Sequence, residues 1–97
     1  MNKNRILVLS DLREFTETVA QKAISFSNNY EKEIDVLHVE DESFLKFFKE
    51  KTECSLDKSK SILSAIYKDK ANIFCKCGNF IEIVKEHILN NNISLVI

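Results

Sequence analysis

The sequence predicts an α/β fold, a parallel sheet of four strands with helices on both faces. Three observations carry this. Four short apolar runs, Ile6–Leu9, Ile34–Val39, Ile73–Cys77 and Ile93–Ile97, have the length and composition of buried strands. The segments between them place apolar residues at helical spacing. The resulting order, β-α-β-α-β-α-β, implies right-handed crossovers and therefore parallel pairing.

Each element has a local reason. Ile6–Leu9 is continuously apolar and is closed by Ser10 and Asp11. Phe15, Val19, Ala20, Ala23, Ile24 and Tyr30 form one face of the first helix, with Glu14, Glu17, Gln21 and Lys22 largely opposite. Asp11 and Glu14 have capping-box spacing, which starts that helix near Leu12. Asn28 and Asn29 are expected to end it, because Asn tolerates the left-handed conformation. The second strand, Ile34–Val39, is closed by Glu40, Asp41 and Glu42, an acidic trio suited to the first turn of a helix. Phe44, Leu45, Phe47 and Phe48 give that helix an apolar face; the pattern resumes from Leu56 to Tyr67, as one long helix or two short ones. Ile73, Cys75 and Cys77 alternate with Phe74 and Lys76 as a strand does, and Gly78 ends it. A last helix carries Phe80, Ile81, Val84, His87 and Ile88, and Asn90–Asn92 stop it before the final strand.

Residues 1–97 fit a single domain, with no linker and no internal repeat. Lys and Arg number 14 against 15 Asp and Glu, so the chain lacks the basic footprint of a nucleic-acid binder or a membrane-surface protein. No run approaches the ~18 apolar residues of a membrane span, and no signal peptide is read at the N-terminus. Gly78 is the one glycine. Phosphate loops and nucleophile elbows need several, so a Walker A loop, a G-x-G-x-x-G turn and a G-x-S-x-G elbow are excluded. Cys54, Cys75 and Cys77 have no disulfide-framework spacing, which points to reduced thiols and a cytoplasmic location.

The ordered set Arg5–Asp11, Phe15–Ala23, Asp35–Val39 and Gly78 with Ile93–Ile97 resembles the universal stress protein A family. The Val36-Leu37-His38-Val39 run is similar to that family's second strand. The resemblance touches nearly the whole chain and is weakest over residues 43–72. It implies a three-layer, Rossmann-like (adenine nucleotide alpha hydrolase-like) sheet in the order 3-2-1-4, here without the fifth strand and last helix. In the ATP-binding branch of the family, the fourth strand runs into a glycine-rich phosphate loop. The sequence ends at Ile97, where that loop would begin, and Phe80 and Ser94 stand where the family often has Pro and Asp.

Ligands of open α/β sheets bind at the carboxyl ends of the strands, where the strand order reverses. The resemblance implies that Asp11 reaches the adenosine end of ATP and that the backbone at Val39 meets the adenine. Ser10 lines the same crevice. Together they make a candidate adenosine half-site without a phosphate grip. Helix capping alone also accounts for Asp11, and strand packing alone for Val39. No cofactor is expected on this reading. His38 and His87 read as packed histidines, each with one hydrogen bond, and no catalytic residue is assigned. Cys75 and Cys77 share one strand face, but C-x-C is not zinc spacing, so no metal is expected. The Phe44–Phe48 cluster reads as a core-facing helix with a solvated charged face.

In the order 3-2-1-4 the fourth strand is an edge, and Leu95, Val96 and Ile97 would carry unpaired backbone groups there. The expected partner is a second copy of the chain, giving a homodimer, or another polypeptide. The function expected is that of a non-catalytic stress-response or regulatory protein with weak or no ATP binding. The alternative is a nucleotide-binding switch whose phosphate loop comes from elsewhere.

Overall fold

The computed structural model describes residues 5–10, 16–41 and 56–97. The strands are β1 (Arg5–Leu9), β2 (Glu33–Asp41), β3 (Asn72–Gly78) and β4 (Ile93–Val96). The helices among the described residues are α1 (Thr16–Tyr30), α2 (Asp57–Tyr67) and α3 (Phe80–Asn90), with a 3₁₀ turn at Lys68–Lys70. The sheet order is β3-β2-β1-β4 and every pairing is parallel, as expected from the alternation of strands and helices. The Asp11/Glu14 capping box, the Phe44–Phe48 helix and Cys54 lie outside the described residues.

The two faces of the sheet bury different chemistry. Ile6, Val8, Ile34 and Val36 pack with Ala20 and Ala23 of α1 and with Leu63 and Tyr67 of α2. Ala20 and Ala23 are fully buried, and their small side chains let α1 approach the strands closely. Alternation sends Leu7, Asp35 and Leu37, all fully buried, to the opposite face, which α3 covers. Covering β1 and the heart of β2 on both sides is what makes their sequences apolar without alternation. The Tyr67 hydroxyl is buried with no hydrogen-bond partner, and burial pushes its ionisation up.

Element ends depart from the sequence expectations where long-range pairing overrides local signals. Glu40 and Asp41 do not open a helix: they extend β2, pairing with Cys77 and Gly78 of β3. Val39 therefore lies within β2 and does not end it. α1 continues through Asn28 and Asn29 to Tyr30, and the left-handed residue is Glu31 (φ +52°). The amide of Lys32 then donates to the Ser27 carbonyl at 3.1 Å. On α3, Ile81 faces solvent and Phe80 is more than one-third exposed, so the buried stripe centres on His87. Gly78 sits at φ +148°, and an added Cβ would meet Ile83 Cδ1 at 2.9 Å, so this strand end requires glycine. Asn79 then caps α3 by accepting from the Glu82 amide at 3.0 Å.

Candidate functional site

The carboxyl ends of β1 and β2 converge on Ser10. Its amide donates to the Leu37 carbonyl at 3.0 Å, which ties the end of β1 to β2. Its own carbonyl accepts from His38 Nδ1 at 2.8 Å. The other ring nitrogen of His38, Nε2, lies 2.9 Å from Glu40 Oε1. His38 is buried, while Ser10 and Glu40 are half-buried. Ser10 and Val39 thus stand at the same end of adjacent strands, as the half-site reading requires. Asp11, its third member, lies outside the described residues. On the far side of β1, β4 closes the ladder: the Ile97 amide donates to Leu7 O at 2.8 Å and the Leu9 amide to Ile97 O at 3.1 Å.

This geometry limits the chemistry. His38 makes two hydrogen bonds where the sequence reading expected one. Both ring nitrogens are engaged by protein oxygens, which fixes the ring between β1 and β2. Glu40 brings a carboxylate to this end of the sheet, which opposes a phosphate. The clasp was missed because Glu40 reads locally as a helix-start carboxylate. It becomes legible only once β2 is known to run on past Val39, placing residues 38 and 40 on one face.

The thiols divide. Cys77 has an interaction partner, and Cys54 lies outside the described residues. Cys75 is free and half-buried, opposite His38 in the strand register. Burial pushes the Cys75 thiol up; the Lys60 ammonium pulls it down, and the Glu40 carboxylate pushes it up again. The reactive form of a cysteine is its thiolate, so Cys75 should be sluggish at neutral pH. Its alkylation by iodoacetamide is expected to be slower than that of a small thiol at pH 7.5. The rate should keep rising beyond the pH at which an ordinary cysteine levels off. Mass spectrometry of the Cys75 peptide across a pH series checks this, and a plateau near neutrality would contradict it. Among the described residues, no group of three or more His, Cys, Asp or Glu side chains is placed to hold a metal ion.

A second polar cluster lies toward the opposite end of the strands. Asp35 is fully buried, yet Oδ2 accepts from His87 Nε2 at 2.8 Å and from Arg5 Nη1 at 3.4 Å. Oδ1 accepts from Asn72 Nδ2 at 3.1 Å. His87 is itself buried and packs edge-on against Phe74, ring centroids 4.7 Å apart. His87 is therefore the singly bonded, packed histidine of the sequence reading. The cluster joins β1, β2, β3 and α3, and it sits away from the carboxyl-end crevice, so its geometry is that of a clamp on α3. The signal for it in the sequence is the carboxylate of Asp35 inside an otherwise apolar strand.

No protein-family model matches the chain, and no curated protein matches it in sequence. Among solved structures, hypothetical protein MJ0577, whose biochemical function was assigned from its structure, matches with a TM-score of 0.69 at 19% identity. The match covers 100% of this chain and 74% of that one. The chain is similar to MJ0577 in fold, an α/β, Rossmann-like parallel sheet flanked by helices.

Proposed function

We propose that the protein is a non-catalytic regulatory protein of the universal stress protein type, acting in stress response as a homodimer with weak or no ATP binding. The observation that carries this reading is the carboxyl end of the sheet. The strand order and the neighbouring positions of Ser10 and Val39 support the half-site reading, while His38 is held by its neighbours and Glu40 presents negative charge. The single glycine, Gly78, forms no glycine-rich phosphate loop among the described residues. A half-site of this kind holds an adenosine weakly and leaves its phosphates in solvent. No helix among the described residues is long and apolar enough to cross a membrane. The same reading puts the protein in the cytoplasm, with reduced thiols.

Isothermal titration with ATP at near-millimolar protein tests the proposal. The expected result is no saturable heat, or a dissociation constant no tighter than about 1 mM. Adenosine should bind about as well as ATP, because the phosphates add nothing. Micromolar binding that depends on the triphosphate would overturn the reading in favour of a nucleotide switch.

A further inference from the structure

The ring of His38 lies between two acceptors. A backbone carbonyl oxygen only accepts, so the 2.8 Å contact with Ser10 O places a hydrogen on Nδ1. An ionised carboxylate also only accepts, so the 2.9 Å contact with Glu40 Oε1 calls for a second hydrogen, on Nε2 or on the carboxyl itself. A neutral imidazole has one N–H. The clasp as built therefore holds one proton more than a neutral ring beside an ionised glutamate. Imidazole is the stronger base of the two, which puts that proton on the ring.

Removing that proton does not affect both contacts equally. Nδ1–H still donates to Ser10 O, and Ser10 is held a second time by its own amide on Leu37 O at 3.0 Å. The lone pair of Nε2 would then face the Glu40 carboxylate, two acceptors at hydrogen-bond distance with no hydrogen between them. His38 is buried and would give up Ser10 by turning, whereas the Glu40 side chain is 36% exposed and can swing out to water. Alternation puts His38 and Glu40 on the α1/α2 face of the sheet with Val36. Among the described residues, the other titratable groups toward this end of that face are Cys75 and Cys77 of β3 and Lys60 of α2, with Glu17, Asp57 and Lys58 exposed in the first turns of α1 and α2.

We propose that His38 and Glu40 form a proton-operated latch at the carboxyl end of the sheet. With the proton bound, the imidazolium ties Glu40 to Ser10 and the pair is electrically neutral. With the proton released, the ring stays on Ser10 in its Nδ1–H form, and the Glu40 carboxylate leaves for solvent with its charge uncompensated. This end of β1 and β2 thereby gains one negative charge as the pH rises, which repels an anion there. The latch goes beyond the half-site reading and does not depend on whether a nucleotide binds.

Nuclear magnetic resonance of the full chain from about pH 5 to about pH 9, a range that spans the charge change of histidine, tests the proposal. At the acid end both ring nitrogens of His38 should show imidazolium chemical shifts, and the ring should give a nuclear Overhauser contact with the Glu40 side chain. At the alkaline end the ring should be the Nδ1–H tautomer, not the Nε2–H form that histidine favours in water, and the Glu40 contact should be lost. In Glu40→Gln the side-chain amide can donate to a bare Nε2 or accept from Nε2–H, so the contact should persist across the series. That persistence is a gain over the wild type, which misfolding would not produce. A ring that keeps one form throughout, an alkaline Nε2–H tautomer, a wild-type contact indifferent to pH, or a Glu40→Gln variant that loses it as the wild type does would each overturn the proposal.

Discussion

Replacing His87 by alanine is expected to lower the unfolding free energy by about 3–5 kcal/mol, the cost of stranding a buried charge whose partner has been removed. The Asp35 carboxylate has no solvent access, and its shortest bond is the 2.8 Å contact with His87 Nε2. Asn72 and the more distant Arg5 would remain, but neither replaces that donor. The loss of a ring packed on Phe74 adds a cavity to the electrostatic cost. Urea denaturation followed by circular dichroism measures the change. The paired replacement Asp35→Leu/His87→Leu separates the two causes. It should recover most of the loss, because exchanging a buried pair for packed apolar groups is often neutral or better. A cost below about 1 kcal/mol for His87→Ala would mean that the cluster is a solvated pair of the surface kind.

The second large effect concerns self-association. On β4, which among the described residues pairs with β1 alone, Leu95 and Val96, with Ile97 after them, are 39%, 44% and 46% exposed, three consecutive apolar residues. Such an edge is a template for pairing, and natural proteins blunt theirs with lysine. The proposed dimer should have a mass in light scattering of about twice 11.2 kDa. Introducing Leu95→Lys with Val96→Lys should return it to the monomer mass. Both side chains are already partly in solvent, so the fold should tolerate the change. Wild-type protein that is monomeric at high concentration would rule out the dimer, and a dimer indifferent to both lysines would place the interface elsewhere.

The alternation of strands and helices was legible because periodicity is a local property. Ile6–Leu9 and Ile34–Val39 read as buried strands from composition alone, and the order 3-2-1-4 then followed from the handedness of crossovers and the family resemblance. Gly78 was equally local, marking a strand end. The ends of β2 and α1 were not. Glu40 and Asp41 carry helix-start chemistry, and only pairing with Cys77 and Gly78 makes them strand. Asn28 and Asn29 are helix enders by propensity, yet α1 continues through both.

What the sequence by itself determined is the architecture: four strands and their parallel pairing. These depend on repeating patterns a few residues long, which the chain carries within itself. Only the tertiary structure decided the polar contacts. Asp35 and His87 are 52 residues apart and meet at 2.8 Å, and Ser10 meets His38 across 28 residues. A side chain's charge and hydrogen-bonding capacity are written in its identity. Its partner is chosen by the register of the sheet and the docking of a helix, which short-range patterns do not encode.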